Sequence, residues 1–111
     1  MNFKALIAEF IGTFTLIFIG VGSIAANAMT GGDVGLVGIA LAHGLAIAVM
    51  ASATAAISGG HLNPAVTIAL LSAKQINLTN AIGYIIAQCL GARHLMERHS
   101  SWASDPPLLP R

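Results

Sequence analysis

The stretch "SGGHLNPAVT", residues 58–67, decides how this chain folds. It sets two glycines, His61, Asn63 and Pro64 at the end of a long apolar run. Backbone without helical hydrogen bonds persists at membrane depth only where protein buries it or where it lines a water-filled cavity. Gly59 and Gly60 permit a tight path with exposed carbonyls. Asn63 is a preferred N-cap, and Pro64 suits the first helical position, where its missing N–H would be unpaired anyway. The segment therefore predicts a re-entrant loop and then a half-helix from Pro64 to about Ser72, its positive dipole end pointing into the membrane.

The rest of the sequence agrees with a bilayer as solvent. Of 111 residues, 56% are hydrophobic and only 8% charged, against roughly 25% charged in soluble domains. The mean hydropathy is +0.81. The net charge is +1 and no basic stripe interleaved with aromatics occurs, which excludes nucleic-acid binding. The single Cys89 excludes an internal disulfide and reads as a small apolar helix residue. At about 20 apolar residues per crossing, the chain crosses a bilayer two or at most three times.

Working outward from the break, the preceding apolar segment runs from about Val34 to Ile57, with His43 as its one ionisable residue. Ala40, Gly44, Ala48, Ser52 and Ala56 recur along it at every fourth position. Such a stripe lets another helix approach closely, so this helix is expected inside a bundle. Before it lies "TGGDVG", residues 30–35, a Gly-rich exposed turn. The first apolar segment, about Ala5 to Met29, carries one charge, Glu9. Its "SIAANA" at 23–28 matches a signal-peptide cleavage pattern, but Glu9 interrupts the apolar region and a second span follows at once. A retained helix is expected.

After the half-helix comes the polar "KQINLTN", residues 74–80, and then a third apolar run, Ala81 to Ala92. From Arg93 the composition changes to "RHLMERHSSWASDPPLLPR". The chain thus divides into residues 1–92 and an expected unstructured tail, 93–111. Lys4 and Lys74 flank an even number of crossings and place the N-terminus on the cytoplasmic side. A complete third crossing would put Arg93 and Arg98 on the other side, so either the third segment stops short or the tail departs from that rule.

"SGGHLNPAVT" resembles the first Asn-Pro-Ala signature of the aquaporin family, also called the major intrinsic proteins. The resemblance extends to "AEFIGTF" at 8–14, like the family's first-helix motif, to "ALAHGLA" at 40–46, like its second helix, and to "GYIIAQCLGA" at 83–92, like the start of its third. These motifs stand in family order and spacing over about residues 5–92. The resemblance implies an all-α membrane protein: six membrane helices and two half-helices in two inverted repeats, assembled as a homotetramer with a pore in each subunit. This chain then carries the first repeat: two transmembrane helices, a re-entrant loop with its half-helix, and an incomplete third helix.

By the same resemblance, Asn63 donates its amide to passing water, Pro64 and Ala65 complete the signature, and the carbonyls of Gly59, Gly60 and His61 form an acceptor ladder. Glu9 is implied to support the loop from within the membrane, although a carboxylate near the interface is the simpler reading of that residue alone. His61 is expected to tie the loop down, with its ring outside the conduction path. Asn63 could serve only as a helix cap. His43 stands where members that pass only water commonly carry a phenyl ring that narrows the outer constriction, and resembles members with wider, more polar constrictions that also pass ammonia, urea or hydrogen peroxide. Its simpler reading is a histidine bonded to a neighbouring helix.

The resemblance ends at Ala92. A second signature, the constriction arginine and the helices of the second repeat have no counterpart here, so the expectation is a passive channel chain that is inactive by itself. A second reading is a small membrane protein that joins full-length channels through the Ala40 to Ala56 stripe. A third, a secondary transporter, needs more intramembrane acids than Glu9. No cofactor is expected. His43, His61, His94 and His99 show no metal spacing with carboxylates, and no nucleophile and base are paired, so neither a metal site nor an enzyme is expected. The expected partners are membrane lipid, water and small neutral solutes.

Overall fold

The computed structural model describes the backbone of residues 1–104 and the side chains of residues 1–94. Its four helices are α1 (Phe3–Met29), α2 (Gly35–Ser58), α3 (Pro64–Ser72) and α4 (Leu78–Ser104). At 1.5 Å per residue, α1 and α2 are about 40 and 36 Å long, enough for a hydrocarbon core of about 30 Å, while α3 is about 14 Å and covers half of it. Each break has a local cause. Asn2 caps α1 by accepting from the Lys4 amide. The Asn27 side chain accepts from Gly35 N across the turn to α2 at 2.8 Å. Asn63 caps α3 by accepting from Ala65 N at 2.8 Å.

α1 lies between α2 and α4 and packs on both, and α3 packs on α4. α2 runs antiparallel to α1, with His43 against Gly20 at one end and Ser58 on Glu9 at the other. α4 runs parallel to α1. Gly83 sits beside Leu6, Gln88 reaches Glu9, and Gly91 sits against the Phe10 backbone, where a methyl group would lie 2.5 Å from the carbonyl oxygen. One turn on, the His94 ring lies 6.2 Å from that of Phe14.

Burial is inverted relative to a soluble domain. The large side chains that lose all contact with solvent are Gln88, Glu9 and Thr67, and the buried apolar residues are mostly alanines. Leu36, Val37, Leu41, Leu45, Val49 and Ile86 are exposed along the outside. A polar, small-residue interior under an apolar exterior is what lipid selects, because apolar side chains there gain nothing by turning inward.

One expectation changes. The helix expected to stop at Ala92 continues to Ser104. Leu95, Met96, Glu97 and Arg98 are good helix formers, and neither Gly nor Pro occurs between Gly91 and Pro106. The remainder of the expected tail, residues 105–111, lies outside the described residues, as do the side chains of 95–104. The stripe Ala40, Gly44, Ala48, Ser52 and Ala56 is exposed along its whole length. α1 takes α2 by another face, the one bearing His43, Ala46 and Thr54, so the stripe meets no helix of this chain among the described residues.

Candidate functional site

The site is built around Glu9, which with Gln88 is completely buried. Four groups donate to it: Ser58 Oγ (2.6 Å) and His61 N (2.9 Å) to Oε1, Leu62 N (2.6 Å) and Gln88 Nε2 (2.7 Å) to Oε2. These donors come from the end of α2, the loop and α4, so one residue of α1 fixes three other segments. Among the described residues, no buried side-chain polar atom lacks a hydrogen-bond partner. In a low-dielectric interior, complete pairing of this kind rigidifies, and a missing partner is costly.

The loop itself is a chain of unusual backbone. Gly59 and Gly60 have φ of +89° and +65°, and Leu62 follows at +53°. A bulky residue in the left-handed region costs of order 1–3 kcal/mol and persists only where its surroundings impose it. For Leu62 they do: its N–H is held by Glu9, its carbonyl accepts from Thr13 Oγ1 at 3.0 Å, and its side chain fills the space left by Gly12. Tyr84 Oη donates to Ser58 O at 2.9 Å, and its ring meets the His61 ring edge-on at 5.0 Å. His61 Nδ1 lies 3.1 Å from Thr67 Oγ1, which accepts from Gln88 Nε2 at 3.0 Å.

This bracing leaves a specific remainder. The carbonyls of Ser58 and Leu62 are occupied by Tyr84 and Thr13, while those of Gly59, Gly60 and His61 between them accept nothing among the described residues. Asn63 follows at once. Its Oδ1 caps α3, and its Nδ2 is without a partner among the described residues. Asn63 and Ala65 are exposed and Pro64 half-buried. Three acceptors and one donor thus stand in sequence at the level of Gly12 and Thr13, near the middle of α1. Such a strip can exchange hydrogen bonds with small polar molecules without offering a charge.

The sequence-predicted residues fall into two places. Glu9, Gly59, Gly60, His61, Asn63, Pro64 and Ala65 are brought together. His43 is not among them. Its half-buried ring packs on Gly20, and Nδ1 lies 2.9 Å from Ile39 O in the preceding turn. Sequence reasoning missed the residues that complete the bracing: Thr13, Ser58, Leu62, Thr67, Tyr84 and Gln88. The signal available was polarity inside apolar runs, above all Thr13 in "IGTFTLIF" and Gln88 in "YIIAQCLG".

Two apolar helices of spanning length, an inside-out pattern of burial and a half-helix opened by a polar loop define a membrane protein with a re-entrant segment. Comparison with known proteins makes this more particular. A profile of the family described as Major intrinsic protein matches residues 1–95. The chain is 48% identical over 93 residues to aquaporin PIP2-7 of Arabidopsis thaliana, covering 81% of this chain and 33% of that protein. It is 52% identical over 86 residues to glycerol uptake facilitator protein-like 6 of Lactiplantibacillus plantarum, covering 78% and 38%. It is 47% identical over 96 residues to aquaporin-1 of Ovis aries, covering 80% and 35%. The chain belongs to the major intrinsic protein family, and its all-helical fold is that of the first half of the aquaporin-like fold. It spans about a third of the length of these relatives.

Proposed function

We propose that this chain supplies the first repeat of a passive channel for water and small neutral solutes. The observation that carries the reading is the row of free carbonyls at Gly59, Gly60 and His61 ending at the free Asn63 amide. Water passing such a strip keeps hydrogen bonds throughout. The positive end of the α3 dipole at Asn63 opposes cations, as in the electrostatic barriers of aquaporin-type pores. Glu9 positions the loop and does not face the solute.

One half-helix makes one side of a pore. In this reading the chain conducts nothing when reconstituted alone and contributes to conduction when a second repeat faces it. It sits in the cell membrane as a multi-pass protein, N-terminus on the cytoplasmic side with Lys4 and Lys74, in the homotetrameric arrangement of the family. The residues up to Ala92 form the repeat, and those beyond it take no part in the pore.

Osmotic swelling of proteoliposomes tests the reading. The chain alone gives the lipid background rate. Co-reconstituted with the second repeat of a relative it raises the rate, and Asn63→Leu removes the gain while leaving the complex assembled. A gain that survives Asn63→Leu overturns the proposal. His43 tunes the solute range by keeping a polar imidazole where a larger, apolar phenyl ring would narrow the path. In the assembled channel His43→Phe lowers urea and ammonia flux relative to water, and unchanged ratios count against that role.

The exposed α2 stripe favours a second reading, in which the chain binds full-length channels through that face. Co-expression that depresses water flux through an intact relative supports it. Gly44→Leu then restores the flux.

A further inference from the structure

Among the described residues only α1 and α2 are long and apolar enough to cross a membrane. α4 is the odd helix. From Leu78 to Ala92 it is mostly apolar, but Arg93, His94, Glu97, Arg98 and His99 follow within seven residues. Its register with α1 brings His94 level with Phe14, near the middle of a helix that runs Phe3–Met29. Charged residues at that depth oppose insertion more than any others. Hydropathy by itself therefore leaves α4 short of the far side.

The contacts between α1 and α4 say how it is held. Gln88 is completely buried, and its Nε2 donates both to Glu9 Oε2 (2.7 Å) and to Thr67 Oγ1 (3.0 Å). One turn further, Gly91 meets the Phe10 and Phe14 backbone so closely that no larger residue fits without parting the helices. We propose that α4 crosses the bilayer because α1 holds it, with Gln88 and Gly91 as the positioning residues of a clamp that carries the polar half of α4 to depth. The partner surface is the Glu9 and Phe10 to Phe14 face of α1. This inference rests on the topology proposed above, in which α1 crosses.

The clamp and hydropathy predict opposite signs for the same chemical change. Gln88→Leu makes α4 more apolar, so hydropathy alone predicts better crossing. It also removes the donor to Glu9, so the clamp predicts worse. His94→Leu makes the same kind of change at an exposed position that meets the Phe14 ring but takes no part in the Gln88 bond or the Gly91 approach, and is expected to improve crossing.

The experiment uses the full chain in intact cells with Cys89→Ser, Ser104→Cys as the reporter, and a membrane-impermeant maleimide. Labelling is normalised to total thiol after solubilisation. A parallel Asp33→Cys reporter in the α1 to α2 turn reads the crossing of α1. Gln88→Leu is expected to lower outside labelling at Ser104→Cys about tenfold, the population equivalent of one buried hydrogen bond to a charged group. Gly91→Leu is expected to lower it as well and His94→Leu to raise it. Gln88→Leu that raises labelling or leaves it unchanged, with Asp33→Cys still labelled from outside, overturns the clamp alone. A fall with His94→Leu also overturns it, since loss of folding then explains all three variants. Asp33→Cys inaccessible from outside in the parent removes the topology and the clamp together.

Discussion

The two flanks of α1 are built on different plans. Toward the loop and α4, the helix presents Glu9 and Thr13, and every polar side-chain atom buried there has a partner. Toward α2, beyond the single Ser58 bond to Glu9, it presents Gly20 to His43 and sets Thr15 and Ile19 beside Leu45, Val49 and Met50, and the far face of α2 is left bare. The first flank specifies a single geometry, since hydrogen bonds in low dielectric tolerate little displacement. Away from Ser58, the second specifies only close approach. A membrane helix can therefore be fixed by polar pairing on one side and remain available to other helices through the next one.

The largest expected break in this comparison is Glu9→Leu. It orphans the Leu62 amide, the His61 amide and one Gln88 donor together, each worth about 1–3 kcal/mol when left unpaired in a buried site. The loop loses its path, and thermal unfolding in mild detergent shows the loss as a collapse of the transition. Glu9→Gln, which keeps one acceptor oxygen, retains part of it. Gly91→Leu comes next, at about 1–3 kcal/mol of overpacking between α1 and α4, read by the same melt. Asn63→Ala removes the α3 cap, at about 1 kcal/mol of stability, together with the amide that meets the solute, so it separates stability from solute flux in the assembled channel. At the small end, Gly44→Leu on the bare face of α2 changes the melting of the isolated chain by no more than about 0.5 kcal/mol. An equal loss at Gly44 and Gly91 would erase the distinction between the flanks.

The half-helix was legible in the sequence almost to the residue, because Asn63 and Pro64 act locally as cap and first position, and α3 runs Pro64–Ser72. The membrane helices were legible because apolar length is a one-dimensional property. The other partners in the bracing were not. Gln88 lies 79 residues from Glu9 and Leu62 lies 53 away, and no local pattern says which buried donor meets which acceptor. The left-handed Leu62 was hidden for the same reason, since its own preference points elsewhere and only Glu9 and Thr13 hold it there. The end of α4 was misjudged because composition measures what lipid accepts, whereas helix propagation depends on propensity and on the absence of Gly and Pro. The bare α2 stripe follows from the same kind of pattern, since small residues at every fourth position invite a helix without saying that it comes from the same chain.

The 79-residue span between Glu9 and Gln88 also sets a clock. Translation at about 5–20 residues per second separates the two by about 4–16 s. During that interval Ser58 and the loop amides arrive first and Gln88 last, so the acid acquires its donors one at a time. Glu9 is made early and completed late. Slower elongation between the codons for Leu62 and Gln88 lengthens the period in which the nascent chain is most open to quality-control capture, with no change to the finished protein.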